Sequence, residues 1–317
     1  MNMQGIDTLR ALLPDGRTLY YYGKDKYSFQ LLRYAMPGRT TVNALRRQPV
    51  APLLQKPALK PLLSDCGGIL DHDALHMAES ALTHEAFTLT LDVWGQNNRS
   101  CTRQTSRNGA NLVLQLNFGN RHNQAFCELL QPFTGNDPFN YQHHPVHKDD
   151  REKRRYTMAW ARLDMDFEHD EALIEEIQTD WLRCATACYQ WAHNAPDERF
   201  STRYGHFFSG TRSQMLAYYE KVLAPFYKWW DEAMLSAVLF FLREELGLRN
   251  IWMHTPQSGV LFKKIHYSAP PTSLYSDLPR RFCFRQEESL PEFLVRERHI
   301  RACLRKVPTV RLHKFAL

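Results

Sequence analysis

Residues 171–181 read Glu171-Ala172-Leu173-Ile174-Glu175-Glu176-Ile177-Gln178-Thr179-Asp180-Trp181, an apolar strand pattern that carries acids and an amide. Strand side chains alternate, so Leu173, Glu175, Ile177, Thr179 and Trp181 are expected on one face and Ile174, Glu176, Gln178 and Asp180 on the other. A buried carboxylate finds a partner or shifts its pKa. Glu176, Gln178 and Asp180 therefore read as a site wall; the plain alternatives are an edge strand with a solvated polar face, or a strand running into a helix near Asp180. A carboxylate beside Ile174, Ile177 and Trp181 is expected to be raised by desolvation, which suits a general base. Glu175 is expected to pair with an arginine such as Arg162.

Around this strand the periodicity alternates between strands and helices. Strands are predicted at 18–22, 87–93, 111–118, 156–165, 251–254 and 281–285 from period-two apolar patterns. Helical spacing is predicted at 6–13, 28–36, 71–83, 182–192, 213–222, 233–246, 258–265 and 292–305. The segment 233–246 is apolar almost all round and reads as a buried helix, with Asp231 and Glu232 at its start and Gly247 as its stop. Gln115 and Asn117 are amides on a strand, so they lie on an exposed face or in a polar site. Residues 194–212 read as a loop. The fold class is α+β, a mixed central sheet flanked by helices. Three segments are expected: a helical and irregular region 1–85, a core domain 86–290, and a basic helix and tail 291–317.

The chain has 317 residues, 44% hydrophobic and 23% charged, the balance of an ordinary globular protein. No run approaches the roughly 18–20 apolar residues that span a bilayer. The N-terminus lacks the basic and apolar regions of a signal peptide, so a cytoplasmic protein without membrane partners is expected. Seven scattered cysteines argue against a disulfide framework, and Cys184 with Cys188 lacks a second pair for zinc. His143, His144, His147, Asp149 and Asp150 are a candidate metal cluster, but Pro145 opposes the helix that would align them. They read as a surface loop, and no metal site is predicted.

The net charge of +6 is concentrated late in the chain, where residues 280–317 hold ten basic and four acidic residues. Arg296, Arg298, Arg301, Arg305 and Lys306 are candidates for contact with nucleic-acid phosphates, with Phe282, Phe284 and Phe293 as stacking or packing rings. The alternative is a solvated helix face.

Two resemblances emerge from these residues. Ile174-Glu175-Glu176-Ile177-Gln178-Thr179-Asp180-Trp181 is similar to the Ile-Glu-Glu-Ile-Gln-Ser-Asp-Trp strand of an uncharacterised domain in phage- and plasmid-encoded polyvalent proteins. Leu112 to Phe118, Ala159-Trp160-Ala161-Arg162, Pro225-Phe226, the 233–246 helix and Ile251 to Thr255 resemble its flanking parts in order. The order of elements in the C-terminal two thirds also resembles that of the Gcn5-related N-acyltransferases. That resemblance implies an acyltransferase-like group-transfer enzyme using acetyl-coenzyme A or another acyl-coenzyme A on a small-molecule or protein substrate. It further implies Glu176 as base, helped by Asp180, and Tyr267 or Tyr275 as the acid for the departing thiolate. Gln178, Lys228, Trp229, His254 and Thr255 are the expected substrate and cofactor contacts, although His254 reads more readily as a core histidine bonded to backbone than as a catalytic one. The family's glycine-rich pyrophosphate loop is absent, its place being taken by residues 226–232 (Phe-Tyr-Lys-Trp-Trp-Asp-Glu). The alternative function is a non-catalytic protein that binds nucleic acid or another protein through the basic tail.

Overall fold

The computed structural model of the chain describes all but residues 2, 13–17, 96–103, 134–136, 142–143, 147–154 and 264–271. Eight strands form one mixed sheet: β1 (Thr18–Tyr22), β2 (Glu85–Trp94), β3 (Asn111–Phe118), β4 (Thr157–Asp166), β5 (Glu171–Gln178), β6 (Asn250–His254), β7 (Phe284–Glu287) and β8 (Leu312–Phe315). Their order is β1-β2-β3-β4-β5-β6-β8-β7. Every pairing is antiparallel except β5 with β6. The α+β class expected from the sequence is the one observed. The sheet takes strands from all three expected segments, because β1 lies in the first and β8 in the last.

One face of the sheet carries the main core. Ala159, Ala161, Leu163 and Met165 of β4, with Ala172 and Ile174 of β5, meet helices α1 (Lys26–Ala35), α2 (Asn120–Leu130), α3 (Asp180–Asn194) and α4 (Trp230–Phe240). Helix α4 is buried continuously from Glu232 to Leu239, as its all-round apolar sequence requires. Its one hydroxyl, Ser236, bonds Tyr20 and Gln30, so no polar group is orphaned there. The helix continues as a wider turn over Phe241–Glu245, and Gly247 ends it at φ 73°.

The opposite face is covered more thinly. Leu173, Trp252 and Leu312 pack on Phe262, Phe293, Leu294 and Ile300, from helix α5 (Pro256–Phe262), the turn Glu292–Val295 and helix α6 (Arg298–Lys306). Beside them Trp94, Val113, Val146 and Trp160 form a smaller apolar group. Gln115 and Asn117 on this face are buried and satisfied by neighbours: Gln115 donates to the Pro145 carbonyl at 2.9 Å, and Asn117 bonds Thr88, Thr90 and Thr157. They are a polar network that ties strands and a loop together.

The alternation expected of β5 is broken once. Leu163 pairs with Ile174 but Arg162 pairs with Glu176, so Glu175 is an extra residue, a β-bulge. Before the bulge the faces run as expected. After it Ile177 turns to the main core with Ile174, while Glu176 lies opposite Arg162 and shares the thinner face with Leu173. The expected grouping of Ile174 with Glu176 fails for this reason.

Candidate functional site

Strands β5 and β6 pair in parallel only from Glu171 with Asn250 to Ile174 with Met253. Beyond that point they separate, and a cavity of about 820 Å³ opens beside the carboxyl end of β5. Its walls include Glu176, Ile177, Gln178 and Thr179 from β5 and the start of α3, His144 and Tyr141 from the preceding loop, and Tyr227, Lys228, Trp230 and Asp231 from the approach to α4. Lys263, Tyr275 and Arg281 close the third side.

Asp180 sits one residue into α3, where an acid favours the helix dipole, and Thr179 caps the helix by accepting from the Leu182 N–H. The Asp180 carboxylate is 1% exposed. It accepts from His144 Nδ1 at 2.6 Å, Gln178 Nε2 at 2.7 Å, Arg183 at 2.7 Å and Trp160 Nε1 at 3.3 Å. Burial resists its charge, but the hydrogen bonds from His144, Gln178 and Trp160 outweigh that and hold its pKa below the usual carboxylate range. His144 is held from several sides. Gln115 anchors the Pro145 carbonyl, Val146 packs with Trp94 and Trp160, and the imidazole stands edge-on to both indoles. The result is a half-buried histidine on the cavity wall whose Nδ1–H is fixed by a buried acid, an arrangement that leaves Nε2 for proton exchange.

Glu176 also lines the cavity. Burial works against its charge, yet Arg162 and Lys263 keep its pKa below the usual value. The expectation of a desolvated base with a raised pKa is therefore corrected: the sequence reading missed that Arg162, wholly buried, lies across from Glu176 and bonds it twice. Arg162 also donates to the Gln104 carbonyl at 3.0 Å and stacks on Trp94 at 4.6 Å, while its Nη1 is buried with no hydrogen-bond partner among the described residues.

The bulge residue Glu175 turns elsewhere, and its expected pairing with Arg162 does not occur. It accepts from the Ser106 N–H at 2.9 Å, Ser106 Oγ at 3.0 Å and His254 Nε2 at 3.1 Å. Burial opposes ionisation, but His254, Lys263 and Arg162 bring its pKa down to about 2. His254 is wholly buried, and burial lowers its pKa. A serine, a histidine and a glutamate thus meet, but Ser106 and Glu175 both address the same histidine nitrogen, and all three are sealed from solvent. Nucleophilic triads place acid and serine on opposite ring nitrogens. This cluster holds β5, β6 and the 104–106 turn together.

Of the expected contacts, Glu176, Gln178, Lys228 and Tyr275 line the cavity, and Asp180 braces it from beneath. Burial pushes the Tyr275 phenol far above its usual pKa, so it stays protonated. Trp229 does not line the cavity; it packs in the core on Tyr22, Phe87 and Phe226, and Trp230 takes its place on the wall. His254 and Thr255 do not reach it either, since Thr255 caps α5 and bonds the Arg311 carbonyl. Tyr267 lies outside the described residues, as do His143, His147, Asp149 and Asp150. His144 was hidden within that histidine-rich loop, and only the distant Asp180 gives it meaning.

The cavity wall is cationic on balance. Arg183, Lys228 and Arg281 face Glu176 and Asp231, and both acids are already paired with arginines. Arg281 also reaches Glu232 at 3.3 Å, so the acids at the start of α4 are partly neutralised. Farther away, Arg298, Arg301 and Arg305 line a shallow hollow along α6 with Leu304, and Lys306 is exposed beside them. Arg296 bonds His169 and lies 3.8 Å from Glu292. Phe282, Phe284 and Phe293 are buried and so cannot stack on bases. Among the described residues, one group of possible metal ligands exists, Asp166, Glu168 and His169, on the β4–β5 turn and outside the cavity. The six described cysteines are free, and no described helix is long and apolar enough to cross a membrane. No family model, curated protein or solved structure matches the chain.

Proposed function

We propose that the chain is an acyltransferase-like group-transfer enzyme whose donor enters the opening between β5 and β6. One observation carries this reading: two parallel strands part beside a cavity of about 820 Å³ into which an acid-braced histidine opens. Crevices outside the carboxyl ends of parallel strands are favoured ligand sites. An extended, amide-bearing chain can add to such a strand edge through main-chain hydrogen bonds, which suits the arm of an acyl-coenzyme A. In this reading His144 takes the acceptor's proton on Nε2, and Asp180 fixes the ring and stabilises the imidazolium. Glu176, kept ionised by Arg162, orients the acceptor. Tyr275, kept protonated, donates a hydrogen bond to the leaving group. Lys228 and Arg183 meet the donor's phosphates in place of a glycine-rich loop.

The test is a thermal-shift titration with acetyl-coenzyme A and coenzyme A, since a ligand that binds only the folded state raises the melting temperature. A shift that Lys228→Ala and Arg183→Ala reduce supports the proposal. No shift at millimolar donor overturns it.

A second reading rests on a different observation. The guanidinium groups of Arg298, Arg301 and Arg305 lie along one side of α6 with no ion pair among the described residues. Such a row suits nucleic-acid phosphates, and binding through it would fall steeply with salt. Oligonucleotide binding that is salt-insensitive, or unchanged in Arg301→Ala, would rule it out.

A further inference from the structure

We propose that Lys263 is a nucleophilic amine that captures small anionic aldehydes or α-keto acids in the cavity as imines. Lys263 follows the last turn of α5, is 1% exposed overall and lines the cavity with Glu176 and Tyr275. Its Nζ donates to the Glu175 carbonyl oxygen at 2.6 Å and stands 5.5 Å from the Tyr275 ring centroid. A buried lysine normally takes a carboxylate partner. Here none of the described carboxylates is within ion-pair distance, because the two that act on its charge are engaged elsewhere: Glu175 with His254 and Ser106, Glu176 with Arg162.

The surroundings act in the same sense. Burial lowers the amine's pKa and Arg162 adds to this, against the pull of Glu176 and Glu175. His254 and Tyr275, the other titratable groups nearby, are held neutral by burial. A lysine desolvated beside a second cation is a recognised way to obtain a neutral, nucleophilic amine near neutral pH. The charge of the wall selects the electrophile. Arg183, Lys228 and Arg281 favour a carbonyl compound that also carries a carboxylate.

The step balances without a further reactant. The amine nitrogen forms a bond to the carbonyl carbon, and the carbonyl oxygen leaves as water with the two amine protons. The product is a carbon–nitrogen double bond to the Lys263 side chain. This inference is independent of the donor-binding proposal, because it requires only the amine and the cavity.

The experiment is reductive trapping of the full chain with glyoxylate and cyanoborohydride at pH 7, followed by peptide mass mapping over time. Exposed lysines such as Lys24, Lys60, Lys221 and Lys306 serve as internal references. Lys263, desolvated and beside Arg162, is expected to label at least about tenfold faster than these solvated amines. Lys263→Met, checked by its melting temperature, should lose that fast phase and keep the slow one. Labelling of Lys263 no faster than the exposed lysines in the wild-type chain would overturn the proposal, and it needs no variant to fold.

Discussion

His144 and Asp180 are 36 residues apart in the chain and joined by a hydrogen bond of 2.6 Å. The bond links a loop lying on the thinner face of the sheet to the first turn of a helix belonging to the main core. It fixes both which ring nitrogen carries the proton and where the ring points.

Asp180→Ala should therefore cost stability as well as any activity. It leaves donors from His144, Gln178, Arg183 and the buried Trp160 without their acceptor. A loss of about 2–4 kcal/mol is expected in urea denaturation. His144→Ala should be milder in stability, keep any melting shift with the donor, and reduce transfer by at least about a hundredfold.

Arg162→Met leaves Glu176 facing Lys263 alone and removes a wholly buried cation. Breaking such a pair from one side costs about 3–5 kcal/mol, whereas replacing both partners is far milder. The double variant Arg162→Met with Glu176→Leu should thus be more stable than Arg162→Met alone. A double-mutant cycle that shows simple additivity would mean the two side chains do not couple.

Glu232 should give the protein a stability that declines with rising pH. Burial raises its pKa from 4.5 to about 7, with Asp25 and Asp231 adding to the effect and Arg281 opposing it. A carboxyl whose folded pKa exceeds its unfolded one binds more protons when folded within that interval. Its contribution is complete below pH 4.5 and is lost as pH rises through about 7. Denaturation at pH 5 and pH 8 should differ by about 2–3 kcal/mol more in the wild type than in Glu232→Gln.

Gly119→Ala tests the junction between β3 and α2. A Cβ there would stand 2.1 Å from the Ala86 carbonyl oxygen in β2, and a main-chain atom of a paired strand cannot step aside. A cost of about 1–3 kcal/mol or more is expected from melting curves. Gly38→Ala is the control, since a Cβ there meets nothing within 4 Å and should change little.

Much of this architecture can be read from residue patterns. Thr18–Tyr22 and Asn111–Phe118 are found where period-two spacing places them, and Asp180 starts the helix as the plain reading of 171–181 expects. What escapes has a physical reason in each instance. Helix α2 buries His122, Phe126 and Leu130, a single narrow stripe in which the first member is a histidine stacked on Phe118. Asp197–Tyr204 is helical where a loop is expected, and only Phe200 in it is buried. Strand β8 is four residues of which two are His313 and Lys314, too short and too polar to announce an interior strand. The bulge at Glu175 is set by the partner strand, so the pattern of β5 alone cannot reveal it. For the site, the acids and Gln178 are visible in the sequence, but His144, Arg162 and Lys263 acquire their roles only through burial and distant partners.

The place of β8 has a consequence for how the molecule assembles. Among the described strands β7 bonds only to β8, and β8 bonds β6 on its other side. Residues 284–287 therefore join the sheet through residues 312–315, which pair with 250–254 along their other edge. This side of the sheet is ordered backwards relative to the chain, the later segment lying inside and the earlier one at the edge. A folding nucleus built on β3, β4 and β5 could form with this flank still open, and the closing of that flank is then a separate, slower event that pulsed hydrogen exchange at Arg285 and His313 would resolve.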